Sequence, residues 1–406
     1  MEETMPSVLE GIKVVDFTWA ALGPTTCDYL AVYGAEVIKI ESQARPDLWR
    51  IVSPFAGDVP GIDRGGLFAT ANVQKYSMAL NLSDKRGIEV AKKLVQRADI
   101  VVESYRPGAM ARLGLAYDDL RKVKPDIIML STCMYGQTGP LAQLPGFGLT
   151  LTAASGISNL TGWPDRAPQP SGEYTDFVVP RFNVLALMAA LDYRRRTGEG
   201  QYLDISQMEA ALHFMAPVLL DYSVNGRELS RTGNRNEWAA PHGVYRCRGE
   251  DSWCAIAVTD DKAWESFCAA MGRQEMLKDP RFASLMARLD HLDDLDNLIE
   301  AWTIERNAED VMEVMQSAGV SAGVAESGRQ LDSDPQLKHR HYYWDMDHPE
   351  MGSMSYSGMP IRMSATPYRI TRGAPCLGEH TAYICTEILK MTGEEFAQFM
   401  NDGVFH

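Results

Sequence analysis

LEGIKVVDFTWAALGPTTCDYLAVYGAEVIKIE (Leu9–Glu41) is the stretch whose reading decides the fold. Within it IKVVDFT (Ile12–Thr18) reads as a buried strand, a Gly23-Pro24 break opens a helix through about Tyr33, and EVIKI (Glu36–Ile40) reads as a second strand. The pattern then repeats. RGIEVAKKLVQRA (Arg86–Ala98) spaces its apolar residues as a helix and feeds DIVVE (Asp99–Glu103); a helix near Tyr117–Val123 feeds DIIMLS (Asp126–Ser131). Strand, helix and strand in alternation predict an α/β fold, a parallel sheet covered by helices. Ligands of such sheets sit beyond the carboxyl ends of the strands, which directs attention to the segments after Thr18, Ile40, Glu103 and Ser131.

Residues 136–175 are rich in Gly, Pro and Ser and read as a long, mostly irregular surface segment. A helix is expected from about Pro180 to Arg196, where proline suits a first turn and Gly198 a stop. Gln201–Ile205 reads as a strand and Gln207–Tyr222 as an apolar helix. After a loop at Asn225–Pro241, alternation in Gly243–Arg248 and Trp253–Val258 predicts a small antiparallel sheet, joined by helices over about 261–330. From Asp332 onward short strands and a terminal helix near 381–391 are expected.

The 406 residues suffice for two or three domains. Thirty-nine Lys+Arg against fifty-four Asp+Glu give a net charge of −15, the wrong sign for a broad nucleic-acid or anionic-membrane surface. A phosphorylated ligand would need a local cluster of cations. Apolar runs such as Val184–Leu191 fall far short of the roughly 20 residues of a membrane span. The N-terminus has two early glutamates and no basic region before an apolar stretch, so a cytoplasmic location is expected. The seven cysteines are scattered, with no CxxC pair, and read as reduced packing residues.

Phosphate loops of the GxGxxG and GxxxxGK[ST] types are absent, as are HExxH and GxSxG, so a metal centre and a serine elbow are not expected. All eight histidines lie at or after His213, which confines any histidine base to the second half. The Gly23-Pro24 turn reads either as a plain strand-to-helix connection or as a source of amides for an anion. Asp176, in GEYTDF, stands just before a predicted helix N-terminus. It reads either as a helix cap or as a carboxylate nucleophile, and residue chemistry leaves both open.

Six blocks in order carry a resemblance. They are Leu9–Glu41, NVQKYSMALNL (Asn72–Leu82), ADIVVESYRPGAMARLGL (Ala98–Leu115), YTDF with ALMAALDYRRRTGEGQYLDIS (within Tyr174–Ser206), PHGVYRC (Pro241–Cys247) and LGEHT (Leu377–Thr381). The chain resembles the class III CoA-transferases, the family of carnitine CoA-transferase and formyl-CoA:oxalate CoA-transferase. The resemblance implies a Rossmann-like large domain built from both chain ends, here residues 1–224 and 331–406. It also implies a smaller inserted α+β domain at 225–330, and two chains interlocked as a dimer. A homodimer and a heteromer with a related subunit are both compatible.

It further implies an acyl-CoA:carboxylate CoA-transferase with acyl-CoA and organic-acid substrates, coenzyme A entering as a thioester, and no metal. Asp176, 21 residues before Thr197, matches the catalytic aspartate. The CoA site carried over would comprise Ala20, Ala21, Lys39, Lys75, Ser104, Tyr105, Arg106 and Arg112, with Arg106 and Arg112 on phosphate and Tyr105 on adenine. Some features depart from the family's patterns. GNRNEWAAPHG (Gly233–Gly243) replaces the glycine-rich loop of the oxalate enzymes and Leu149 an acidic residue, which argues against oxalate. LPGFG (Leu144–Gly148) lacks the histidine of the related racemases, which argues against racemisation. Phe177, Trp19, Tyr135 and Phe147 suit an apolar acyl group. The alternatives are a non-catalytic subunit of a heteromeric transferase and, more remotely, a NAD-binding Rossmann protein.

Overall fold

The computed structural model describes residues 6–406. The chain divides into two compact units. The first comprises residues through Ile157, Pro170–Glu228 and Lys338–His406; the second comprises Ser158–Gln169 and Leu229–Leu337.

Six parallel strands form the sheet of the first unit: β1 (Lys13–Phe17), β2 (Glu36–Glu41), β3 (Tyr76–Ala79), β4 (Ile100–Glu103), β5 (Ile128–Cys133) and β6 (Tyr202–Ser206). Their order is β3-β2-β1-β4-β5-β6. Alternate residues of each strand enter two cores. Val14, Val37, Ile100, Val102, Ile128 and Leu130 pack on one face with Leu30 and Leu187, from the helices Leu22–Val32 and Tyr174–Thr197. Val15, Ile38, Ile40, Val101 and Met129 pack on the other with Leu94, from the helix Lys85–Arg97, and with Ile384 and Ile388 near the C-terminus. That two-sided burial explains why the strands read as continuous apolar runs.

The LGEHT block closes the edge of the sheet. Gly378 N donates to Ser77 Oγ at 2.9 Å and Ala79 N to Thr381 Oγ1 at 3.0 Å, so the chain's end satisfies groups of the edge strand β3. The first unit also carries an antiparallel pair, β10 (Tyr343–His348) with β11 (Gly352–Ser357). The second unit holds an antiparallel sheet of β7 (His242–Arg246), β8 (Trp253–Ala257) and β9 (Ser321–Val324). Its core gathers Ile256, Trp264, Phe267, Phe282, Leu295, Ile299, Val311 and Met315.

Three expectations are corrected. The segment 136–175 contains two helices, Gly148–Ala154 and Ile157–Leu160, whose sequences, GLTLTAA and ISNL, are too short to give a 3.6-residue pattern. β9, built of small residues, interrupts the stretch read as helical to 330. The helix expected from Pro180 begins at Tyr174, six residues earlier. Proline there lies inside the helix and leaves the Asp176 carbonyl without an amide partner four residues on, rather than marking the first turn.

By length and composition this 24-residue helix could cross a bilayer. Here Thr175, Val179, Asn183, Leu187 and Ala190 form its buried stripe.

Candidate active site

Asp176 is the third residue of the helix Tyr174–Thr197, in its first turn rather than before it. The helix register is keyed by a buried amide. Asn183 Nδ2 donates to Thr26 Oγ1 at 3.0 Å and to Thr132 Oγ1 at 3.2 Å, joining this helix to the helix Leu22–Val32 and to β5. Two turns from Asp176, that link fixes where its carboxylate points.

The carboxylate lies against Gly148, the first residue of the helix Gly148–Ala154. A Cβ on residue 148 would stand 2.7 Å from Asp176 Cγ and 3.0 Å from Oδ1, and closer still to Oδ2, so only glycine admits the acid in this position. Across from it, Gln207 opens the helix Gln207–Asn225, with Ser206 as its cap. Its Nε2 donates to Asp176 Oδ1 and, at 2.9 Å, to Thr175 Oγ1. Burial raises the Asp176 pKa to about 6; the Gln207 hydrogen bond opposes that rise and the Glu173 charge adds to it. A carboxylate held there is ionised near neutrality and more basic than an ordinary aspartate, as a nucleophile needs. The next residue, Phe177, stacks on Trp49 with ring centroids 6.3 Å apart.

Ala20, Ala21, Lys39 and Ser104 come together at the carboxyl ends of β1, β2 and β4. Ala20 takes a left-handed backbone, φ 63°, and its N–H reaches Asp47 Oδ1 at 3.2 Å. Trp19 N donates to Ser104 Oγ at 2.9 Å. Lys39 Nζ pairs with Asp47 Oδ2 at 2.9 Å and donates to Thr18 O at 3.0 Å, bracing the loop from beneath. Ala21 is buried behind this turn. The helix opening there, Leu22–Val32, starts before Gly23, whose missing side chain makes room for Thr18, with Oγ1 3.0 Å from where a Cβ would stand.

Lys75 is spent elsewhere. Its ammonium donates at 2.9 Å to each of Asp16 Oδ2, Pro24 O and Asn72 Oδ1, and it is wholly buried. Burial works against the Asp16 carboxylate, yet Lys75, Lys39 and Thr18 hold it below the usual range. All three N–H groups of Lys75 are taken, and Lys39 is buried against Asp47; both are internal counter-ions. Their sequence context, a lysine at or just before a strand, does not distinguish the two uses.

The SYRPG block behaves differently. Tyr105 packs beside the core that holds Met110 and Leu115. Arg106 is exposed and donates to Gln143 O at 2.9 Å, tying the block to the 136–175 segment. Arg112 is exposed as well, and among the described residues neither arginine forms an ion pair. The two guanidinium groups are exposed, whereas the two ammonium groups are buried against aspartates. Two contributors escape a reading of the sequence. Gly148 looks like one loop glycine among several, and Gln207 lies 31 positions from the acid it touches.

Comparison with known proteins matches the chain to a family. The family model described as CoA-transferase family III covers residues 9–381. The chain is 33% identical over 393 residues to succinyl-CoA--D-citramalate CoA-transferase of Chloroflexus aurantiacus, covering 97% of this chain and 96% of that one. It is 30% identical over 398 residues to the succinyl-CoA--L-malate CoA-transferase beta subunit of the same organism, covering 97% and 96%. Among solved structures, a CAIB/BAIF family protein from Brucella suis superposes with a TM-score of 0.87 at 30% identity, over 94% of this chain and all of that one. A model spanning nearly the whole sequence and relatives matched end to end lead to one conclusion: the chain belongs to CoA-transferase family III, a family of transferase enzymes.

Proposed function

We propose that this protein moves CoA from an acyl-CoA donor to an organic acid through covalent intermediates on Asp176. The observation that carries the reading is the carboxylate itself: half-buried, more basic than an ordinary aspartate, and seated on a glycine at the carboxyl-end side of the sheet. Asp176 attacks the donor thioester carbonyl and expels CoA thiolate, leaving an aspartyl mixed anhydride. The thiolate then attacks the aspartyl carbonyl and releases the donor acid, giving an enzyme thioester. The acceptor carboxylate takes the place of CoA on the aspartyl group, and the returning thiolate attacks the new acyl carbon. Each step exchanges acyl groups of similar activation, so no ATP is needed.

Arg106 and Arg112 would meet the phosphates, Ala20 and Ser104 would line the approach, and Lys39 and Lys75 would hold the loop beneath. A succinyl-CoA-type donor is supported by the two relatives, whose names specify it. The exposed Trp19, Phe147 and Phe177 add apolar surface for the acyl chain. A second reading, a partner subunit of a heteromeric transferase, takes its support from the malate relative being a beta subunit. One experiment separates them: the chain purified alone is assayed with succinyl-CoA and a panel of dicarboxylates, beside Asp176→Ala. Turnover by the chain alone, abolished in the variant, supports the first reading; unchanged activity in Asp176→Ala overturns it.

A further inference from the structure

The two oxygens of Asp176 are not equivalent. Oδ1 receives the Nε2–H of Gln207, while Oδ2 lies over the Cα of Gly148. Gln207 is itself immobilised. It is 3% exposed, bonds Thr175 Oγ1 at 2.9 Å, and begins a helix whose second residue, Met208, donates its N–H to Met134 O at 2.9 Å. A buried amide held by Thr175, on a helix start tied to Met134, does not follow a carboxylate that rotates, so the bond selects one orientation of the acid.

We propose that Gln207 is a catalytic residue that assigns the two carboxylate oxygens fixed roles: Oδ2 attacks, and Oδ1 stays behind as the carbonyl oxygen of every covalent intermediate. The proposal rests on Asp176 being the nucleophile. In the first step an Oδ2 lone pair bonds the acyl carbon, and the C–S bonding pair leaves on sulfur as CoA thiolate. The aspartyl carbon then carries a double bond to Oδ1. When the thiolate attacks that carbon, the π pair moves onto Oδ1, against the Gln207 N–H. It returns as the donor acid departs with Oδ2. The acceptor carboxylate repeats the cycle: one of its oxygens bonds the aspartyl carbon, charge again collects on Oδ1, and CoA thiolate leaves. The final thiolate attack on the new acyl carbon frees the aspartate, now holding one oxygen from the acceptor. A preorganised donor at an atom where charge develops twice per turnover is worth about 10²-fold or more in rate.

The bookkeeping of oxygen atoms gives the test. The enzyme is turned over many times with an acceptor acid labelled with heavy oxygen at its carboxylate, and the Asp176 peptide is weighed. The wild-type peptide should gain one heavy oxygen and no second, because Oδ1 never leaves. In Gln207→Leu the acid can rotate, so a second heavy oxygen should appear, with kcat lowered about 10²-fold and the donor KM little changed. Two heavy oxygens in the wild type, or wild-type kcat in Gln207→Leu, overturn the proposal, and the wild-type measurement stands even where the variant does not fold. A peptide without label, together with an active Asp176→Ala, overturns the nucleophile reading itself; an inactive Asp176→Ala beside an unimpaired Gln207→Leu removes only the role given to Gln207.

Discussion

Asp176 occupies the space that a side chain on Gly148 would fill, with its Cγ 2.7 Å from the position of the missing Cβ. The displaced group would be the end of a rotatable side chain and not backbone, so Gly148→Ala is expected to fold with near wild-type stability. The carboxylate must move to make room, and displacement on the order of 1 Å at a reacting atom costs about 10²-fold in rate. Thermal unfolding and kcat measured on the same preparation check this. A variant with full activity would show that the carboxylate has no need of the glycine.

The acid limb of the rate profile should belong to Asp176. Burial lifts its pKa to about 6, Gln207 pulls against that and Glu173 adds to it; the helix Gly148–Ala154 that packs on it contributes no ionisable side chain. The ionised form reacts, so kcat/KM should fall about tenfold per pH unit below that value. Removing the charge in Glu173→Gln favours ionisation and should move the limb to lower pH. A limb that stays in place, or moves up, contradicts the assignment.

Arg112 and Lys75 should fail in different ways. Arg112→Ala removes an exposed guanidinium with no ion-pair partner among the described residues, and should raise the KM for acyl-CoA about tenfold with stability unchanged. Lys75→Met leaves Asp16 buried without its counter-ion and should cost about 3–5 kcal/mol in stability. Denaturant titration and acyl-CoA kinetics of both variants separate the two roles. A Lys75→Met protein of normal stability with a raised KM would return that lysine to the substrate site.

Asn183 ties the nucleophile's helix to two neighbours from 0% exposure. Asn183→Leu strands the Thr132 hydroxyl, while Thr26 keeps its bond to Leu22 O, and should cost about 1–3 kcal/mol. Activity measured well below the unfolding transition should fall as well, because the register of Asp176 loosens. Equal loss of stability with unchanged kcat would confine Asn183 to the core.

The strands of the parallel sheet could be read from sequence where β-branched residues run unbroken, as in KVVDF of β1, EVIKIE of β2 and IVVE of β4. β3, YSMA, is a short edge strand completed by the LGEHT block three hundred residues later, so its partner gives no local signal. The helix Gly148–Ala154 was hidden for a related reason: leucine and threonine alternate along it with no 3.6-residue period, and packing against other helices holds it. Asp176 was singled out only through the family resemblance, since residue chemistry left a helix cap equally open. Lys39 and Lys75 are buried beside aspartates that the sequence does not reveal, because it shows a charge but not its neighbour. Gln207 gave no signal at all, since an amide declares its purpose only through the atom it faces.

Covalent acylation of Asp176 during turnover is open to direct test. The direct measurement is mass spectrometry of the protein incubated with succinyl-CoA in the presence of hydroxylamine or borohydride. Modification of Asp176 is expected, as its hydroxamate or its reduced alcohol, dependent on the acyl-CoA and absent in Asp176→Ala. Trapping at another residue, or turnover with Asp176 unmodified, would contradict it.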